Sequence, residues 1–337
     1  MSTRFGMQVA RCLFILTLVG FMAACSGGGG GGGGGDQRID LPYTGARSQA
    51  IITEENAEYL AVNAFQLSWG MNCQYLFGAG ASAGRESTIE GEPQPKALLG
   101  LDKISRTIRN HFTDQASQAR AKIEDTWTEY GNCGGEIAYS LTFDDVTGKF
   151  SGDIEYRSYC EDGIIYNGRI RIGGQLDQYW QDYESYKITF ENVTITEDEQ
   201  DSIIQGIIDL ESEYDSSVSG TRVTITTNLL FEDHGTGIAY FVDGFKFRYY
   251  DFGDDSDMRF TGRYYESDLG YVDVSDSDEV TFIISYAGSV FRGVLQLEGA
   301  NNTKAQLRFS QHHIYRVIAD TDGDGTYDWD SGVLEWE

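Results

Sequence analysis

The sequence predicts an α+β protein that is mainly β: a long antiparallel meander, a curved sheet with N-terminal helices packed on one face. Three observations predict it. Apolar and polar residues alternate with period two along most of residues 132–337, the pattern of half-buried strands. The composition holds 21 Tyr, 18 Phe and 41 Gly against only 3 Pro, which favours strands joined by glycine turns. Helical spacing is confined to a segment spanning residues 51–131.

The clearest element is a hairpin between Cys133 and Cys160. Ile137, Tyr139, Leu141 and Phe143 alternate with polar residues, and after a polar turn Phe150, Gly152, Ile154 and Tyr156 do the same. Pairing Phe143 with Phe150 sets Leu141 against Gly152, Tyr139 against Ile154 and Ile137 against Tyr156. In that register Cys133 faces Cys160, so a cross-strand disulfide is expected. A one-residue slip would turn every apolar side chain to the other face, which specifies the register strongly.

At the N-terminus, Arg4 and Arg11 precede an apolar run, Cys12 to Ala24, too short to span a membrane as a mature helix and suited to a signal peptide. It ends Phe21-Met22-Ala23-Ala24-Cys25-Ser26. This resembles a bacterial lipobox, in which small residues precede a cysteine that is acylated and becomes the mature N-terminus. The resemblance implies a lipoprotein signal peptide over residues 1–24, a lipid on Cys25 (the palmitate type of anchor), and the membrane as a partner through that lipid. Ser26 after the cysteine implies the outer membrane, with the periplasmic and cell-surface faces both open. The alternative is an ordinary secretory peptide cut near Ala24. Several acyl chains make a durable anchor, because each buried CH₂ contributes about 0.8 kcal/mol.

Residues 25–50 follow as a tether. Gly27 to Gly35 are nine consecutive glycines, and a polar stretch continues to about Gln49. Some 25 such residues reach about 25–30 Å on average. Thr53–Trp69 reads as a helix with Thr53 as N-cap, acids in its first turn and a face of Ala57, Leu60, Ala61, Ala64 and Phe65. A second helical stripe runs from Lys96 to about Trp127 through Leu101, Ile104, Ile108, Phe112, Ala116, Ala119 and Ile123, and Gly131 ends it. Its Lys and Arg residues read as a face salt-linked to the protein's own acidic sheet, the alternative being a docking face for an acidic partner.

Beyond Cys160, Asn167-Gly168 within Ile164–Ile172 marks a hairpin turn if that run is two short strands. The parity change after Phe190 predicts a bulge at Glu191-Asn192. Ser202–Leu210 is ambiguous between helix and strand, and its isoleucines and central glycine favour strand. Val223, Ile225, Leu229 and Phe231 share one strand face. A weak repeat, Phe-x-Gly, recurs at Phe150, Phe260 and Phe291. A hairpin through Asn301-Asn302 pairs Leu297 with Ala305, Leu295 with Leu307 and Gly293 with Phe309. Glycine opposite a large residue in both hairpins fits a curved sheet in which a ring covers the missing side chain. In composition and topology this body resembles the β-rich domains of bacterial lipoproteins, a likeness that transfers no site.

Charge narrows the function classes. Lys plus Arg total 25 against 53 Asp plus Glu, so the formal charge is −28, and it becomes −30 once Arg4 and Arg11 leave with the signal peptide. Such a field repels phosphate backbones, which argues against nucleic acid, and concentrates cations. The ligand-like motif is Asp320-Thr-Asp322-Gly-Asp324-Gly325-Thr326-Tyr-Asp328. It resembles the first half of an EF-hand-type or thrombospondin-type calcium loop. The resemblance implies Ca²⁺ ligands from Asp320, Asp322, Asp324 and Asp328 and the Thr326 carbonyl; Ser331 stands where the family's bidentate Glu would be. The alternative is a turn joining two strands.

Catalytic patterns are thin. His312 and His313 are adjacent and would point to opposite strand faces. Asp233-His234 is a candidate acid–base pair, but Gly235 and Gly237 favour a turn. Cys73 is left over, either as a buried thiol at the end of the first helix or as a sign of a different cysteine pairing. The expected function is a lipid-anchored envelope protein with a non-catalytic binding or structural β module whose partner is a protein, a glycan or an apolar ligand. Two alternatives stand beside it: a carrier holding a lipid in the curved sheet, and a carboxylate-dependent hydrolase such as a glycosidase, whose two acids need no sequence signature.

Overall fold

A computed structural model describes residues 41–70, 122–144, 146–176, 183–197, 199–215, 220–251, 256–276, 282–284, 290–311 and 314–335. The signal peptide, Cys25, the tether to residue 40, Cys73, His111, His312, His313 and the second helical stripe up to residue 121 lie outside these residues.

The described chain is one antiparallel meander that is not closed, with one helix. Strands β1 (Lys122–Tyr130), β2 (Gly134–Asp144), β3 (Lys149–Glu161), β4 (Ile164–Leu176) and β5 (Tyr183–Glu197) lie in chain order. So do β6 (Gln200–Asp215), β7 (Gly220–Asp233), β8 (Ile238–Asp251), β9 (Ser256–Glu266) and β10 (Gly270–Asp276). The short β11 (Phe282–Ile284) shares the slot of β10, since both pair with β9 and with β12 (Val290–Glu298). Then come β13 (Lys304–Gln311) and β14 (Ile314–Asp320), edged by the two-residue β15 (Trp329–Asp330) and β16 (Leu334–Glu335).

One apolar row explains the inner face. Trp127, Tyr139, Ile154, Ile170, Phe190, Gly206, Leu229, Val242, Tyr264 and Val272 are successive cross-strand partners from β1 to β10. The period-two pattern sends each of these to the same side, where one continuous core extends to Leu307 and Val317. Helix α1 (Ala57–Gly70) lies on that face against β8 and β12–β14. Its residues Leu60–Phe65 are all buried, and Phe65 meets Phe309 at 4.8 Å and Phe260 at 6.3 Å. A turn precedes the helix, with the Thr53 amide donating to Asn56 Oδ1 at 2.8 Å.

Curvature comes from bulges in three strands. Extra residues at Ser158 in β3, Asn192 in β5 and Gly244 in β8 each shift the register with both neighbouring strands, whereas β6 and β7 pair without a break, and the Asn228 side chain accepts the Gly244 amide at 2.7 Å. Such bulges bend the strands that carry them. Rings cover two other glycines, a Cβ on Gly174 sitting 2.8 Å from the Phe150 ring and one on Gly262 2.8 Å from the Phe245 ring, whereas a Cβ on Gly152 would meet Leu141 and Ile172 at 3.4 Å and no ring.

Both predicted hairpins hold. Phe143↔Phe150 through Ile137↔Tyr156, and Gly293↔Phe309 through Leu297↔Ala305, pair as expected, and Cys133 and Cys160 form a disulfide. The bulge at Ser158 shifts the last pair, so that Gly134 stands opposite Cys160. The bulge after Phe190 and the strand over 202–210 are also present.

Three expectations are corrected. Residues 122–130 are strand, not the end of a helix: a four-residue spacing such as that from Ile123 to Trp127 in the sequence fits either structure, and Trp127 stacks on Tyr139 at 4.6 Å. Asn167-Gly168 lies inside the single strand β4, opposite the bulges at Ser158 in β3 and Asn192 in β5. The β3–β4 turn is instead Asp162-Gly163, both with positive φ, as a type I′ turn requires. Finally, Leu41–Ala50 is not tether; it is packed on the sheet.

Candidate metal centre on the sheet rim

Acidic residues at strand ends have a structural job here. Asp144 Oδ1 accepts the amides of Val146 (2.9 Å) and Thr147 (3.2 Å), and Asp233 Oδ1 those of Gly235 (2.8 Å) and Thr236 (3.1 Å). Glu266 Oε2 accepts from Asp268 (3.2 Å) and Leu269 (2.8 Å). Each carboxylate closes the turn that follows its strand by satisfying backbone donors the ladder leaves open. Burial nevertheless pushes the Glu266 carboxyl up from its ordinary value.

Asp320 does the same at the end of β14. Only 1% exposed, it accepts the Gly323 amide on Oδ1 and the Gly325 amide on Oδ2, both at 2.8 Å. Gly323 and Gly325 take positive φ, and a Cβ on Gly323 would stand 2.2 Å from the Asn301 carbonyl, so the loop lies flush against the β12–β13 turn. The strands it joins pair Ala319 with Trp329 and Ile318 with Asp330.

What distinguishes this loop is a second and third carboxylate. Oxygens of Asp320, Asp322 and Asp324 lie within 4.8 Å of one another, so the triad could hold a metal ion. Asp322 Oδ1 accepts the Asp324 amide (3.1 Å) and Asp324 Oδ1 the Thr326 amide (2.7 Å), which aims the carboxylates along the loop. Hard oxygen donors of this kind suit Ca²⁺ or Mg²⁺.

Asp328, a further expected ligand, does not join the triad. Asp328 turns back to accept the Thr321 amide at 3.0 Å, a bond that lowers its carboxyl below the ordinary range. Thr321 as its partner carries no sequence signal, because no loop motif prescribes that contact. Thr326 enters through its amide. Ser331 serves the hairpin: its hydroxyl accepts the Val317 amide and donates to the Gly332 carbonyl, both at 2.9 Å. Beside it, Asp330 is paired with Arg316.

Elsewhere, the disulfide joins the β1–β2 turn to the end of β3, and Asn132 links the same turn to the β3–β4 turn, its Nδ2 donating to Asp162 Oδ1 at 2.9 Å and its Oδ1 accepting the Asp162 amide at 3.0 Å. His234 is exposed in the β7–β8 turn, and its neighbour Asp233 is occupied by that turn, so the pair is a turn. Aromatic side chains of the inner face pack on each other, Phe150 on Tyr186 at 5.7 Å and Tyr156 on Tyr166 at 5.8 Å. The groove on the outer face of β1–β4 is polar, lined by Thr126, Thr128, Ser140, Asp153, Arg157 and Arg169.

No family model, curated protein or solved structure matches this chain.

Proposed function

We propose that this chain is a lipid-anchored lipoprotein of a bacterial outer membrane, with a non-catalytic β body that serves as a binding or structural module and takes calcium on its rim. The observation that carries the anchor is the run Phe21–Ser26, small residues ahead of Cys25, followed by nine glycines. Leu41 is already buried on the sheet, so the proposed tether extends no further than residues 26–40, for which the average reach would be about 20–25 Å. That length holds the body near the membrane without seating it there. Support for a non-catalytic module lies in where the strand-end acids point, since Asp144, Asp233 and Glu266 are each occupied by backbone amides. The glycan, protein or apolar partner is presented to the outer face and the rim.

Expressing the full-length chain in a diderm bacterium tests the anchor. Fatty-acid labelling and recovery in the outer-membrane fraction are expected, both abolished by Cys25→Ser. An unlabelled wild-type chain in the soluble fraction would refute the anchor. Calcium is tested separately by melting with Ca²⁺ and with EDTA. A calcium-dependent rise in Tm should disappear in Asp322→Ala/Asp324→Ala, which leaves the Asp320 turn bonds in place; no rise would reduce the loop to a turn.

A further inference from the structure

The first ten described residues grip both faces of the sheet. Leu41 and Tyr43 are buried on the outer face against Leu230, Ala239 and Tyr265, in an apolar cluster separate from the main core. Tyr43 stacks on Phe241 at 5.6 Å and meets Tyr265 edge-on at 5.5 Å. The chain then crosses the β9–β10 turn. There the Ala46 amide donates to the Ser267 carbonyl (2.8 Å), that of Tyr271 to Ser48 (2.9 Å) and that of Ala50 to Tyr271 (2.8 Å). A Cβ on Gly45 would stand 2.5 Å from Ser267 Cα, so the strap lies flat on the turn. Its own contacts shape it: Arg47 donates to the Tyr43 carbonyl at 3.0 Å and sits over the Tyr43 ring. Past Gln49 the chain enters the inner core at Ala50 and Ile52.

We propose that residues 41–47 are a clasp that opens as a unit about Ser48-Gln49. Opening uncovers an outer-face patch of Leu230, Ala239, Phe241, Tyr265 and Tyr271 while the inner core stays intact. The geometry points this way because Leu41 and Tyr43 belong to the small cluster alone, so no inner-face contact breaks when they lift. Segments held by few buried contacts open below the global unfolding threshold. Residues 41–47 precede every described strand, so a pull from the N-terminal side would meet the strap before any of them. Only the source of that pull rests on the lipid anchor; the opening itself does not.

Native-state hydrogen exchange on the full mature chain tests the clasp. The Ala46 amide should exchange about 100-fold faster than those of Ile154 and Leu307, with no dependence on low urea, the signature of a local opening. In full-length Tyr43→Ala, exchange at Ala46 should rise about tenfold further and a hydrophobic dye should bind, while the amides of Ile154 and Leu307 are unchanged. Exchange of wild-type Ala46 at the core's rate and urea dependence would overturn the proposal. So would loss of core protection in Tyr43→Ala, because the strap would then belong to the cooperative core.

Discussion

The two faces of the sheet are built from the same strands by different means. On the inner face Tyr139, Ile154, Ile170 and Phe190 follow one another across β2–β5, each less than 5% exposed. One residue along, the outer face reads Ser140, Asp153, Arg171 and Thr189. There Arg171 reaches Asp153 at 3.6 Å and Glu191 at 3.0 Å, and Arg169 reaches Asp153 at 3.2 Å. Water screens these half-exposed pairs, whereas it is excluded from the inner row. Stability should therefore reside in the apolar row, and the ladder of ion pairs chiefly sets which charges the surface shows.

The largest break in this contrast comes from Phe190→Ala, which removes a ring beside Gly206 and leaves a cavity. It should cost about 3–5 kcal/mol, read as a lower urea midpoint with an unchanged slope. Next is the disulfide, which joins residues 27 apart; Cys133→Ser/Cys160→Ser should cost about 3–4 kcal/mol by lost loop constraint in the unfolded chain. On the outer face, Arg171→Gln should change the midpoint by no more than about 1 kcal/mol, less in high salt. A loss there as large as that of Phe190→Ala would collapse the distinction between the faces.

The smallest effect is local and depends on pH. Asp328 has a folded pKa below its ordinary 3.8 because it accepts the Thr321 amide. Its contribution is therefore fully present above 3.8 and is lost as pH falls through the folded value. Amide exchange at Thr321, corrected for its intrinsic pH dependence, should accelerate in that acid window in wild type. Asp328→Asn should flatten this response. Protection that is instead lost between pH 5 and 7 would assign the loop's behaviour to another group.

Much of this architecture was legible because alternation and register are written locally. Phe143, Leu141, Tyr139 and Ile137 can meet Phe150–Tyr156 in one apolar register only, and Asn301-Asn302 centres the closing hairpin in the same way. Bulges were legible where parity changed, as after Phe190, and hidden where they did not disturb a run, as at Ser158. The strand at 122–130 was masked because a four-residue spacing serves both helix and strand. Leu41 and Tyr43 were unreadable as core: two apolar residues in a polar stretch say nothing of partners nearly 200 residues away in β7 and β8. At the rim, the triad Asp320, Asp322 and Asp324 was evident from spacing, whereas the diversion of Asp328 to Thr321 depended on the fold of the loop.

The most direct test of the account is the intact mass of the mature protein recovered from the envelope of a diderm host expressing the full-length chain. The account predicts a chain that begins at Cys25 and carries the added mass of its acyl groups. A mature chain that begins elsewhere, or one with Cys25 unmodified, would contradict it.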